Sequence, residues 1–232
     1  MRTIVVLSLY CFFSVSVHAA TVGQTDTFTN GTQGWIAPDP NNPNPPTTDF
    51  GGPGGVSDAY LRLVANGGAG AGSRLTVLNG GQWTGDFLGA GIGAIGMDVR
   101  NFGPADVYLR LLFEHMTVPN TPPVDLALSS NYVLVPAGMD WTHITFPIDP
   151  ANLTAPIGTS AGALANTTVM RLFSNQAPAF GGPGNGPPAI TVTLGVDNIQ
   201  AIGAAAIPEP GTFVLLAAGL AVLVVRTRRV TE

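Results

Sequence analysis

The sequence predicts an all-β protein, a β-sandwich for which a jelly roll is favoured and an Ig-like topology is the alternative. Short segments in which apolar and polar residues alternate recur along the chain, a period typical of strands with one buried face. Turns rich in Gly, Pro, Asn and Asp separate these segments, and no part of the body has a helical period over ten residues. About nine short strands would bury their inner faces by pairing two sheets, which predicts one sandwich domain over residues 20–203.

The expected strands follow from this alternation. The first lies at 25–29, and the next at 57–64, where Leu61 and Leu63 face the core and Arg62 points away from it. Residues 38–55, rich in Pro, Asn and Gly, are expected to form a long surface loop. The other strands are expected at 73–78, 95–100, 107–114, 132–135, 141–148, 168–175 and 191–202.

The N-terminus predicts a secretory signal peptide over residues 1–19. Arg2 is the positive n-region, residues 4–17 form an apolar h-region, and a small-residue cleavage signal follows, so the mature chain should begin at Ala20. The single cysteine, Cys11, lies inside the h-region. The mature chain is therefore expected to have no disulfide, no cysteine metal site and no thiol nucleophile.

The charge of the body excludes one class of partner. The chain has no lysine, and residues 20–203 carry five arginines against twelve Asp and Glu residues, a balance of −7. An acidic body of this kind is a poor partner for nucleic acid, whose phosphates need cations.

The C-terminal residues 204–232 predict a membrane-targeting tail. Pro208 and Pro210 hold the backbone around Glu209 in an extended form that a processing enzyme can bind. The uncharged run that ends at Val225 is roughly 22 Å long as a helix, which is short for a hydrocarbon core of about 30 Å. The positive-inside rule places the arginines after this run in the cytoplasm and the body on the opposite side. These arginines are Arg226, Arg228 and Arg229.

Motif, short apolar segment and arginine cluster, in this order, resemble the PEP-CTERM sorting tail of exported proteins from exopolysaccharide-producing Gram-negative bacteria. The resemblance implies recognition of Pro208-Glu209-Pro210 by an exosortase, a membrane enzyme that cuts near the motif and releases or transfers the body. It also implies that residues 213–225 form a single apolar transmembrane helix and that the arginines stop transfer. The alternatives are an ordinary C-terminal anchor and a buried helix of a soluble fold.

Two short segments of the body resemble the first and last strands of galactose-binding-like or carbohydrate-binding jelly rolls. One begins at Asp26 and the other contains Asp197. In jelly rolls of this type the two strands lie together at one edge, so the resemblance implies a structural calcium shared by both carboxylates, since hard oxygen ligands suit this cation. The alternative makes Asp26 a turn residue and Asp197 a strand end. No other cofactor is expected.

Two motifs of catalytic type occur without the context that each requires. Residues 158–162 fit the Gly-x-Ser-x-Gly elbow around Ser160, which needs a strand–turn–helix and a downstream histidine, but His115 and His143 both lie upstream. Residues 91–96 fit the dinucleotide fingerprint, yet a strand rather than a helix is expected to follow. The sequence therefore predicts no catalytic residues and no enzyme.

Three arginines stand between apolar residues in equivalent strand contexts, so each should point away from the core. If their strands share a sheet, they form one outward face with two tyrosines, and guanidinium and aromatic groups together suit an acidic or hydroxyl-rich saccharide. The alternative is a set of cross-strand ion pairs with neighbouring carboxylates. The residues of this possible glycan-binding face are Tyr60, Arg62, Tyr108, Arg110 and Arg171.

These features together predict an exported, non-catalytic protein of the cell envelope or extracellular matrix. It would pass the inner membrane, stay anchored there transiently, and reach the outer surface or matrix after exosortase processing. An association with exopolysaccharide or biofilm, and glycan binding by the body, follow from the resemblance. The alternatives are a secreted polysaccharide hydrolase and a purely structural coat or adhesion protein.

Overall fold

A computed structural model describes residues 19–119, 121–181 and 186–204. The expected signal peptide up to residue 18 and the sorting tail from residue 205 onwards lie outside these ranges. Within them, the chain forms thirteen strands, numbered β1 to β13 in chain order, one six-residue helix α1 (Ser160–Ala165) and a 3-10 turn at Pro150–Asn152. No helix in these ranges is long and apolar enough to cross a membrane.

The strands form two antiparallel sheets. Sheet 1 contains, in spatial order, β10 (Thr142–Pro147), β6 (Ile92–Asn101), β13 (Thr191–Gly203), β4 (Gly55–Asn66) and β3 (Thr47–Gly52), with β1 (Thr25–Asp26) paired to β13. Sheet 2 contains β11 (Leu153–Ile157), β8 (Asp125–Ser129), β7 (Val107–His115), β12 (Val169–Ser174), β5 (Thr76–Asn79) and β2 (Trp35–Ile36), with β9 (Val133–Val135) paired to β7. The chain crosses repeatedly between the sheets, as in a jelly roll, and the predicted all-β sandwich is confirmed.

The core lies between the sheets and follows the alternation in the sequence. On β6, Ile95, Met97 and Val99 are fully buried, while the residues between them face outwards. On β7, both faces are buried, because a second apolar cluster forms on the outer face of sheet 2. That cluster consists of Leu112, Leu126, Leu128 and Phe173, with Phe180 packed against it.

Three strands differ from the sequence prediction. β3 lies inside the expected surface loop at 38–55, and β8 and β11 fall where no strand is expected. β3 pairs with β4 alone and is largely exposed, so its residues carry no alternating burial pattern. An exposed edge strand forms because its backbone pairs with a neighbouring strand, so its own sequence need not show the alternation typical of half-buried strands.

Candidate functional site

Three aromatic rings meet on the outer face of sheet 1. Tyr60 of β4 stacks on Phe102, which follows β6, with 5.7 Å between ring centroids. Trp141, just before β10, meets both rings edge-on, at 5.2 Å from Tyr60 and 6.3 Å from Phe102. Tyr60 is buried, Trp141 is half-buried, and Phe102 is 42% exposed. These three residues are called the aromatic face below.

A glycine in β13 makes room for the aromatic face. A Cβ atom on Gly195 would lie 2.7 Å from Cη2 of Trp141 and 3.0 Å from Cε2 of Phe102. The two rings therefore rest directly on the backbone of the sheet. The Trp141 indole N–H donates to the carbonyl oxygen of Gly51 at 3.0 Å, which fixes the orientation of the ring across the sheet.

Charged side chains border the aromatic face in pairs. Arg62 lies 3.9 Å from Asp49, and Arg100 lies 3.4 Å from Asp140. The Arg100 guanidinium is also 4.6 Å above the centre of the Phe102 ring. Both arginines are part-exposed, so the site offers hydrogen-bond donors and acceptors with little net charge.

Tyr60 links the rings to this polar border. Its hydroxyl group lies 3.4 Å from an oxygen of Asp49. Burial raises the pKa of Tyr60, and the nearby charge of Asp49 raises it further. The phenol therefore stays protonated and able to donate a hydrogen bond.

The predicted arginine face is wrong, because the three arginines do not share a sheet. Arg62 lies on β4 in sheet 1, whereas Arg110 and Arg171 lie on β7 and β12 in sheet 2. Their tyrosine neighbours are divided in the same way. Tyr60 belongs to the aromatic face, and Tyr108 packs edge-on against Tyr132 on sheet 2, with centroids 5.0 Å apart.

Arg110 faces away from the core, as expected, but it is only 1% exposed. Its guanidinium donates to the carbonyl oxygens of Asn175 at 2.8 Å, Gln176 at 2.6 Å and Ser129 at 2.5 Å. Burial lowers the pKa of Arg110. The side chain ties the segment after β12 over sheet 2 and is not available to a ligand.

Arg171 follows the alternative prediction of cross-strand ion pairs. It binds the carboxylate of Glu114 on the neighbouring strand β7, and the side chains are 15% and 6% exposed. Its guanidinium also lies 5.5 Å from the centre of the Phe180 ring. The contacts of Arg171 with Glu114 and Phe180 therefore stabilise sheet 2 and the apolar cluster on its outer face.

The structure does not bring Asp26 and Asp197 together as a shared calcium site. Asp26 lies on the core side of sheet 1, where it accepts hydrogen bonds from the indole N–H groups of Trp35 at 2.8 Å and Trp83 at 2.7 Å, and a third from Gln82. Burial raises the pKa of Asp26 despite these three donors. Its oxygens are occupied by N–H groups of the core.

Asp197 lies on the opposite face of sheet 1 and is fully buried. One of its oxygens accepts from the backbone N–H of Asn198 at 2.7 Å, and Oδ2 has no hydrogen-bond partner among the described residues. Burial, together with the carboxylates of Asp58 and Asp98, raises the pKa of Asp197 to about 7. Across the described ranges, no group of three or more Asp, Glu, His or Cys side chains is arranged to hold a metal ion.

The Gly-x-Ser-x-Gly motif does occur between a strand and a helix, contrary to expectation. Ser160 begins α1 after a two-residue turn that follows β11, and Gly158 in this turn has a positive φ of 61°. However, the Ser160 hydroxyl group points to the carbonyl oxygen of Leu153 at 3.4 Å, while His115 Nδ1 lies 2.9 Å from Asp125. This geometry does not pair the serine with the imidazole as nucleophilic catalysis requires.

Asp125 supports the turn before α1. It accepts a hydrogen bond from the backbone N–H of Thr159 at 2.8 Å. Two hydrogen bonds lower the pKa of Asp125. The bond with His115 has the larger effect and the bond from Thr159 the smaller one. The histidine–carboxylate pair therefore has a structural role at the end of β7.

A cavity of about 800 Å³ opens beside His115, between residues 80–86 and residues 165–169.

The sequence alone did not predict that Phe102, Trp141 and Arg100 belong to one site. These residues come together through the pairing of strands that are distant in sequence. Thr142 of β10 lies opposite Val99 of β6, which places the residue before β10 close to the residues that end β6. Nothing in the local sequence indicates that pairing.

Comparison with known proteins identifies the tail and the fold. Residues 206–229 match the PEP-CTERM protein-sorting motif. The chain carries a PEP-CTERM sorting tail. The predicted resemblance of the tail to the PEP-CTERM sorting motif is thus confirmed. Its residues lie outside the described ranges. No curated protein matches the sequence.

Several solved structures share the sandwich fold at low sequence identity. A family 11 carbohydrate-binding module from Clostridium thermocellum, in complex with a β-1,3-1,4-mixed-linked tetrasaccharide, is 14% identical over 80% of this chain and 98% of its own, with a TM-score of 0.48. An exo-β-agarase structure is 12% identical over 80% of this chain and 25% of its own, with a TM-score of 0.51. A family 30 carbohydrate-binding module is 14% identical over 85% and 91% of the two chains, with a TM-score of 0.42.

Proposed function

We propose that this chain is an exported, exosortase-sorted protein of the bacterial cell surface whose body binds a glycan through the aromatic face. The observation that carries the proposal is the cluster of Tyr60, Phe102 and Trp141, bordered by two arginine–aspartate pairs. The three rings are in mutual contact and Phe102 is 42% exposed, so the face presents a contiguous apolar surface rather than a single exposed side chain, and such surfaces mark binding sites. The PEP-CTERM tail supports the route to the surface.

The chemistry of the face favours a neutral, hydroxyl-rich glycan. Aromatic rings pack on the apolar C–H faces of sugar rings, while carboxylates and guanidinium groups bind hydroxyl groups at their edges. Because Arg62 and Arg100 are each paired with an aspartate, the face has no excess positive charge for a strongly acidic polymer. Each contact at such a wet site contributes about 0.5–1 kcal/mol, so useful affinity requires several contacts or many copies along one polymer.

The tail supplies the second half of the proposal. An exosortase recognises Pro208, Glu209 and Pro210, while residues 213–225 hold the chain in the inner membrane with Arg226, Arg228 and Arg229 on the cytoplasmic side. Cleavage near the motif then delivers the body to the outer surface or the matrix of a Gram-negative cell. There the body associates with exopolysaccharide and acts as a non-catalytic component of a biofilm.

A binding measurement tests the role of the body. Affinity electrophoresis against a panel of neutral and acidic polysaccharides should show retardation by a neutral glycan, and the double variant Phe102→Ala/Trp141→Ala should lose it. Tyr132→Ala is the matched control, because Tyr132 is also 42% exposed but lies on sheet 2. Equal retardation of the double variant and the parent protein would remove the aromatic face from the proposal.

A processing measurement tests the role of the tail. Replacement of Pro208, Glu209 and Pro210 by alanine should leave the full-length chain in the membrane fraction of a strain that expresses an exosortase. If this variant is released as readily as the parent protein, the motif has no sorting role.

A further inference from the structure

The folded body ends very close to the sorting motif. The last backbone hydrogen bond before the tail joins the N–H of Ala204 to the carbonyl oxygen of Gly91 at 2.8 Å. Only residues 205–207 separate Ala204 from Pro208. Even a fully extended chain spans at most about 3.6 Å per residue, so Pro208 lies within roughly 14 Å of the body.

The end of β13 is held on both sides, so the body does not provide extra chain length. The backbone N–H of Gly23 donates to the carbonyl oxygen of Ala201 at 2.8 Å, and the N–H of Ala201 donates to Gln24 at 2.9 Å. On the other side, β6 pairs with β13 as far as Gly203. Release of more linker would require these pairings to open.

The surface around Ala204 is uncharged and partly apolar. The segments that surround it, residues 20–25, 87–93 and 199–204, contain no charged side chain. Val22 is 51% exposed and lies against Gly203, and Leu88 is 38% exposed in the loop that leads to Gly91. Val22, Leu88, Gly91 and Ala204 are called the exit collar below.

We infer that the exit collar is an interaction surface for the membrane enzyme that cuts the tail. An enzyme that encloses Pro208-Glu209-Pro210 in a peptide-binding groove reaches several residues on each side of its motif, and this chain offers three before the body begins. The collar must then contact the rim of the groove. An uncharged surface with exposed aliphatic side chains suits a complementary apolar rim. This inference rests on the proposed sorting function.

The test combines charges on the collar with a longer linker in the full chain, co-expressed with an exosortase. The double variant Val22→Asp/Leu88→Asp should be processed about tenfold more slowly than the parent chain, because it places two charges in a desolvated contact. A flexible Gly/Ser insertion between Ala204 and Pro208 moves the body away from the groove. In this background, the collar variant and its parent should be processed at the same rate.

The matched control carries the double substitution Tyr132→Asp/Leu134→Asp. These residues are 42% and 45% exposed and lie beside the start of β7 in sheet 2, away from the exit collar. It should be processed at the parental rate with either linker, and thermal unfolding should show that both double variants are folded. Parental processing of the collar variant with the natural linker would overturn the inference. So would slow processing that persists with the long linker.

Two further readouts separate the inference from related explanations. In cells without an exosortase, the collar variant should stay in the membrane fraction as the parent chain does; a loss of membrane association there would mean that the collar binds lipid, not the enzyme. If alanine replacement of the Pro208–Pro210 motif leaves processing intact, the proposed sorting function itself fails, whatever the collar variants do.

Discussion

Asp197 should make the stability of the body depend on pH. Its pKa rises from an ordinary value of 3.8 to about 7 in the folded state, because the carboxyl group is fully buried and faces Asp58 and Asp98. A carboxyl group that binds its proton more tightly in the folded state stabilises that state below the unfolded pKa. This stabilisation is lost as the pH rises through the folded pKa.

The size of the effect follows from linkage. The full shift corresponds to stabilisation on the order of 4 kcal/mol at low pH, and more than half of this disappears between about pH 5 and about pH 8. For a domain of this size, the Tm should fall by about 5–10 °C over that interval. In Asp197→Asn, an amide that cannot titrate replaces the protonated acid and can donate to Asp58, so the variant should lack this decrease.

Thermal unfolding of the body, followed by circular dichroism from about pH 5 to about pH 8, measures the difference between the two proteins. Asp26, whose pKa burial also raises, remains in both, so the comparison isolates Asp197. Asp39→Asn is a suitable control, because Asp39 lies in a loop and its carboxylate accepts hydrogen bonds from Asn41, two residues along the chain. Identical pH profiles for the parent protein and Asp197→Asn would refute the reasoning.

Substitutions at three other positions test the fold and the aromatic face. Gly195→Ala places a Cβ atom 2.7 Å from Trp141 and should displace the indole ring, so glycan retardation falls while the body stays folded. Glu114→Ala leaves the guanidinium of Arg171 without its partner and should cost about 3 kcal/mol in chemical denaturation, whereas Glu114→Gln should cost less. Asp26→Ala leaves two buried indole N–H groups unpaired and should lower the Tm by about 10 °C in calorimetry.

The sequence predicts the core residues well because alternation records which side of a strand is buried. Ile95, Met97 and Val99 are buried as expected, and Arg62 faces outwards. Alternation does not record which sheet a strand joins. Arg62 and Arg171 occupy similar local sequences and yet lie on different sheets, since sheet membership depends on pairing between distant segments.

The same limit applies to the candidate site. Arg110 points away from the core as predicted, but a segment 65 residues later folds over it and accepts two of its hydrogen bonds. Trp141 reaches the aromatic face because β10 pairs with β6 and a glycine in β13 leaves space for the ring. The tail could be predicted without the fold. Its motif, apolar run and arginines follow one another along the chain, so their identification does not depend on contacts between distant segments.

The central claim, that the aromatic face binds a glycan, is tested most directly by the three tryptophan indole N–H signals in a two-dimensional ¹H–¹⁵N NMR spectrum. Trp141 donates to Gly51 on the outer face of sheet 1, whereas the buried Trp35 and Trp83 both donate to Asp26 in the core. Addition of oligosaccharides from the neutral glycan that retards the body should shift the Trp141 signal in a saturable manner and leave the other two unchanged. Saturable binding with an unmoved Trp141 signal would contradict the account.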